Sequence, residues 1–237
     1  MHGFTGTPFE MAFVGAKLAE RGFTVVGPKL PGHADTAPAL DATTWLDWYA
    51  SVVAEFDALK SRCDKVAVVG LSLGGLLTLH LARHRGRELA AIAPLAVPLW
   101  LAPVRTAAIR ALAAARRLSD RFAYLPKLGG GSDLFDKTVR AQNPALPVMP
   151  TRALASVVEL MRVVRAEIEL VTVPTFNAHA HQDHTAPFAC ALELRRRIGA
   201  QDLVTLDLVR SYHVVTLDVE RDLLVERLGV FLQERLS

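Results

Sequence analysis

Apolar runs rich in β-branched residues, bounded by Gly and Pro, recur along this chain, and between them the apolar positions fall back to a helical spacing. Residues 23–28, 65–70, 89–94, 170–177 and 202–209 read as strands. Residues 9–21, 44–60, 73–84, 187–198 and 218–236 read as helices. Strands that are apolar on both faces and alternate with helices predict a mostly parallel sheet flanked by helices, an α/β fold.

The stretch 98–168 breaks this rhythm. It is helix-prone over 106–118 and 151–165, carries several prolines and holds a Gly129-Gly130-Gly131 loop. It is too long for an ordinary connection between strands. The expected organisation is therefore a core made of 1–97 and 169–237, with 98–168 inserted as a helical cap over the carboxyl ends of the strands, where open α/β sheets bind ligands.

Composition narrows the class. With 237 residues, 51% hydrophobic and 22% charged, the chain can bury one sizeable core. The net charge of +3 comes from scattered arginines, with no basic run interleaved with aromatics, which argues against nucleic acid as a partner. Cys63 and Cys190 form neither a disulfide framework nor a metal pair by spacing, and Cys190 falls on a helical pattern as a core residue. The uncharged stretch 89–104 is interrupted by three prolines and is too short to span a bilayer. No leader is visible, and a cytoplasmic location is expected. Because the chain opens on what reads as an active-site loop, residues upstream of Met1 are also expected.

The chemistry begins at Gly70-Leu71-Ser72-Leu73-Gly74, a G-x-S-x-G pentapeptide. Alone it is moderately specific; here an apolar strand precedes it and a helix opening on small residues follows. That setting places a serine hydroxyl on a sharp turn above a sheet. Gly70 and Gly74 remove the Cβ atoms that would clash where strand meets helix. A hydroxyl nucleophile working on an acyl group also needs two N–H donors for the developing oxyanion. The N–H of Leu73 is one. His2-Gly3-Phe4-Thr5-Gly6 at the start of the chain supplies the other, at Phe4, with His2 and Gly3 supporting the loop.

The serine then needs a base, and the base an orienting carboxylate. His213 lies between the last strand and the last helix, where the chain order Ser, Asp, His puts the base. Asp183 follows the strand 170–177 and is the expected acid, with Asp202 and Asp207 as alternatives inside or at the start of the last strand. His33, in Leu30-Pro31-Gly32-His33, is placed near the pocket mouth without a catalytic role. His80 and His84 are spaced i, i+4 on the helix after Ser72; with no acidic residue beside them they read as packing or surface residues rather than metal ligands.

Two other readings compete. His179-Ala180-His181-Gln182-Asp183-His184 resembles the ligand signature of metallo-β-lactamase-fold hydrolases, in which metal-bound hydroxide attacks the substrate. That reading leaves the serine turn and the His2–Gly6 loop unexplained, and only His213 follows as a further ligand. A non-catalytic binding protein on the same fold is the other alternative.

With these elements in place, the whole chain resembles the small-cap carboxylesterases and monoacylglycerol lipases of the α/β-hydrolase fold. The likeness rests on His2–Gly6, Leu30–His33, Gly70–Gly74 and His213-Val214-Val215-Thr216-Leu217-Asp218, and is weakest through the cap. It implies hydrolysis of short- to medium-chain esters or monoglycerides, a small-molecule ester as partner, and no cofactor or metal. It also implies an apolar strand just before His2, between the strands at 23–27 and 65–69. In its absence the expectation is that the native chain extends further upstream, or that the sheet closes up or borrows a strand.

Overall fold

The computed structural model describes residues 1–115, 119–127 and 131–236. A four-stranded parallel sheet runs in the order β1 (Ala67–Leu71), β2 (Ala91–Leu95), β5 (Thr175–Ala180), β6 (Leu203–Leu208). Each step between sheet strands passes through a helix, as parallel pairing requires: α4 (Leu73–Arg85) after β1, and α8 (Ala189–Arg197) after β5. The chain begins with α1 (Phe9–Glu20), α2 (Ala37–Asp41) and α3 (Trp45–Lys60), and ends with α9 (Arg221–Leu236).

Side-chain alternation on the central strand feeds two apolar layers. Ala91, Ala93 and Leu95 face α1 and α9, among Val14, Leu18, Leu224 and Phe231. Ile92 faces the layer built by α3, α4 and α7 (Thr151–Glu167), among Trp48, Leu76, Val157 and Met161. α4 is buried at every residue from Leu73 to Ala82, with Leu76, Leu77, Leu79 and Leu81 no more than 1% exposed, which explains why its leucines show no polar face.

Between β2 and β5 lie α5 (Pro103–Ala115), β3 (Tyr124–Pro126), α6 (Lys137–Gln142), β4 (Val148–Pro150) and α7 (Thr151–Glu167). β3 and β4 pair as a separate antiparallel two-stranded sheet. Of the glycine loop expected here, only Gly131 is among the described residues, and the expected end of the helix at 116–118 falls outside them. α7 packs on α4 and α5. The backbone of the segment reaches the start of the chain, where Leu146 N–H donates to Thr5 O at 2.9 Å.

Two strand expectations change. The strand expected from 170 starts at Thr175, because Ile168–Leu170 form a 3₁₀ turn that ends α7. The strand expected over 23–28 does not form. Those residues are non-helical and unpaired, with Val25 and Val26 40% and 38% exposed. A strand is a property of a pair, and a cleft of about 1070 Å³ lies between this segment and β1. The sheet does not close up across it. Among the described residues only Met1 pairs with β1 there, its amino group donating to Val69 O at 2.7 Å and its carbonyl accepting Leu71 N–H at 2.9 Å.

Candidate functional site

The turn between β1 and α4 carries Ser72 at φ 53°, ψ −109°, a conformation that L-residues rarely adopt and that costs about 1–3 kcal/mol. Its surroundings enforce it. Ser72 N–H donates to Leu95 O at 2.8 Å, anchoring the turn to β2. A Cβ on Gly70 would lie 2.1 Å from Gly74 O, and one on Gly74 would lie 2.5 Å from Met1 O. Strand, helix and the loop at the start of the chain therefore meet at a distance that only glycine allows.

The structure brings Ser72, His213 and Asp183 together. Ser72 Oγ lies 2.9 Å from His213 Nε2, and His213 Nδ1 lies 2.7 Å from Asp183 Oδ2. All three are buried. The other oxygen of Asp183 accepts the N–H groups of Thr185 and Ala186 at 2.8 and 2.6 Å. Burial alone would raise the Asp183 carboxyl, but the charge and hydrogen bonds of His213 and His179 hold it well below the usual carboxylate range. Burial alone would lower His213, yet the Asp183 carboxylate, with Asp133 and Glu10 behind it, carries the ring above its ordinary value.

The His2–Gly6 loop lies against this serine: a Cβ on Gly3 would stand 3.5 Å from Ser72 Cβ. His2 is fully buried. Its Nδ1 donates to Gly3 O at 2.9 Å and its Nε2 accepts Leu30 N–H at 3.2 Å, so the neutral ring ties the loop to the Leu30–His33 segment. Burial and the neighbouring His33 push its pKa down to about 3. His33 packs edge-on to His2, Phe4 and Trp48. Among the described residues, no acceptor takes the N–H of Phe4 or of Leu73, leaving both free to donate beside Ser72.

The His179–His184 cluster does not converge as a metal signature would. His179 is buried, donating to Ala186 O and lying 3.3 Å from Asp183 Oδ2. His181 is exposed, stacks on Phe188 and pairs with Asp207. His184 is exposed and bonded to Asp133. Three histidines with three different sets of partners give the rival metal reading no common centre. Of the alternative acids, Asp207 pairs with Arg195 and Asp202 with Arg235.

Four carboxylates went unrecognised in the sequence. Asp218 accepts the N–H groups of Phe135, Asp136, Tyr212 and Val219 at 2.8–3.1 Å, binding the His213 loop to the 131–136 segment. Glu220 gathers Val209, Arg210 and Ser211 as the chain leaves β6. Asp133 joins both loops: its carboxylate takes His184 N–H and its carbonyl takes Val214 N–H. Glu10, buried beneath the His2–Gly6 loop, accepts Gly3 N–H at 3.0 Å, and Asn143 Nδ2 lies 3.4 Å from its other oxygen. Burial raises its pKa against these bonds. Asp218 and Glu220, shortly after His213 in a turn, carried a local signal as acceptors for loop amides. Asp133 and Glu10 carried none.

A strained serine between strand and helix, a buried His–Asp pair behind it and free amides beside it define a hydrolase of the α/β class. The chain belongs to the alpha/beta hydrolase family, whose model matches residues 1–227, and it is a hydrolytic enzyme of the esterase and lipase type. It is 34% identical over 228 residues to a thermostable monoacylglycerol lipase of Bacillus sp. (strain H-257), covering 96% of this chain and 86% of that protein. It is 28% identical over 235 residues to a carboxylesterase of Bacillus subtilis (strain 168), covering 99% and 91%. A solved structure reported with the metagenome-derived lipolytic enzymes LipS and LipT superposes with a TM-score of 0.90 at 33% identity, covering 98% of this chain and 91% of that one. Among the described residues, no helix is long and apolar enough to cross a membrane.

Proposed function

We propose that the protein cleaves carboxylic esters, with short- to medium-chain acyl esters or monoacylglycerols as substrates, through an acyl-enzyme on Ser72. The observation that carries this is the unbroken chain from Ser72 Oγ through both nitrogens of His213 to Asp183. Ser72 attacks the ester carbonyl while His213 Nε2 takes its proton and passes it to the leaving alcohol. Asp183 fixes the imidazole tautomer and stabilises the imidazolium. The N–H groups of Phe4 and Leu73, the latter at the positive end of α4, receive the oxyanion. Water then enters by the same route in reverse and releases the acid. Residues 98–168 serve as a cap over the carboxyl ends of the strands, with α7 resting on the nucleophile helix. The monoacylglycerol lipase and carboxylesterase relatives support the substrate class.

The test is labelling with a fluorophosphonate, followed by peptide mapping and assays on p-nitrophenyl esters and monoacylglycerols of graded chain length. A stable adduct on Ser72, lost in Ser72→Ala and in His213→Ala, together with turnover of these esters, is expected. Folded protein that takes no adduct overturns the serine mechanism. Labelled protein that hydrolyses none of the esters overturns the substrate class alone.

A further inference from the structure

His80 and His84 lie one helical turn apart on α4, so both rings emerge from one face, their centroids 4.5 Å apart. Glu167, the last residue of α7, comes to meet them from the inserted segment. Its Oε2 lies 3.0 Å from His80 Nδ1 and its Oε1 lies 3.8 Å from His84 Nε2. One nitrogen from each ring and one carboxylate oxygen all fall within 4.8 Å of one another. We propose that these three side chains bind a divalent transition metal of the zinc class, bridging the nucleophile helix to α7.

The donor set is the first support. Two imidazoles and one carboxylate suit zinc, cobalt or nickel rather than calcium or magnesium, which prefer all-oxygen sites. The spacing is the second. Ligands about 2.0–2.2 Å from a tetrahedral zinc stand roughly 3.3–3.6 Å apart, so the set closes on an ion through small rotamer changes at the half-exposed His84. The pairing is the third. Among the described residues, no lysine or arginine pairs with Glu167, whose two oxygens face only the two rings. The neighbouring cation Arg85 is held by Asp57 and Glu88. Burial is the fourth. The His80 side chain is 7% exposed and walled edge-on by Trp45 and Tyr49, while Glu167 is 27% and His84 45% exposed. The centre is rigid on its inner side and open to water on its outer side, which gives an ion both an entry path and a fourth ligand.

The experiment uses the whole protein, stripped with chelator and dialysed. Zinc titration by calorimetry should give one site per chain, cobalt should give visible absorption bands of tetrahedral intensity, and saturating zinc should raise Tm by roughly 5 °C. His84→Ala and Glu167→Gln alter solvent-accessible positions, and each should weaken binding at least tenfold, since even outer-shell changes cost that much. His181→Ala, an exposed histidine elsewhere, should leave binding unchanged. Absence of binding in the stripped protein, or binding that persists unchanged in both ligand variants, overturns the site and leaves the cluster as a hydrogen-bonded pair of rings on a carboxylate.

Discussion

At Asp183, burial is opposed by the charge of His213 and by hydrogen bonds from His179 and His213, and these win. Its carboxylate is thus ionised throughout the working pH range and keeps the His213 pKa above the usual imidazole value. In the proposed mechanism His213 is neutral when it accepts the Ser72 proton, so kcat/KM for an ester should rise with pH along a limb whose midpoint lies above that of a free imidazole. Asp183→Asn should move the limb to lower pH and reduce kcat by about 10⁴-fold; a pH-rate profile of both proteins checks each part. Glu10 presents the opposite case. Its folded pKa is raised, so the stability it confers is complete below its unfolded pKa and is lost as pH rises through the raised folded value. Glu10→Gln keeps an acceptor for Gly3 N–H while removing the charge. Its Tm should therefore gain on the parent protein between pH 5 and pH 8, with activity largely retained. Glu10→Ala should lose roughly tenfold in kcat as the His2–Gly6 loop loses its tether. Thermal melts at the two pH values and steady-state rates separate these outcomes.

The turn from β1 into α4 was legible because everything it needs is local: an apolar strand, two glycines that permit a close crossing, and a serine between them. Gly70→Ala should cost several kcal/mol, since the added carbon meets Gly74 O with no flexible side chain to move aside; little soluble protein with a cooperative melt is the expected result. The segment 23–28 has the composition of a strand, but the apolar strand expected between it and β1 is not in this sequence, and the segment stays unpaired. Distance along the chain hid the long-range acceptors. Glu167 lies 87 residues from His80, and Asp133 lies 51 from His184, distances over which no periodicity reports. Asp218 closes the motif that opens at His213, yet its sequence position does not show that it holds four amides from two loops. Asp218→Ala should lower Tm by roughly 5–10 °C and reduce kcat, because those amides lose a buried acceptor beside His213; calorimetry and initial rates measure both.

Across the whole protein, the two apolar layers are thick around β2 and β5 and thin beside β1, where the cleft lined by Val25, Val26, Ala67 and Val69 reaches the sheet. A parallel ladder sends alternate residues to opposite sides. Val66 O and Ser72 N–H bond to the β2 side, so Val68 and Gly70 face β2 while Ala67 and Val69 turn toward the cleft. Dissolved in deuterated water, these neighbours should keep very different time. Val68 and Gly70 should hold their protons until the molecule opens as a whole, while Ala67 and Val69 should trade theirs early. Residue-resolved exchange showing all four equally slow would mean the cleft is shut in solution. The expected record has an unusual order, with a strand leading directly to Ser72 among the first to exchange on one side and among the last on the other.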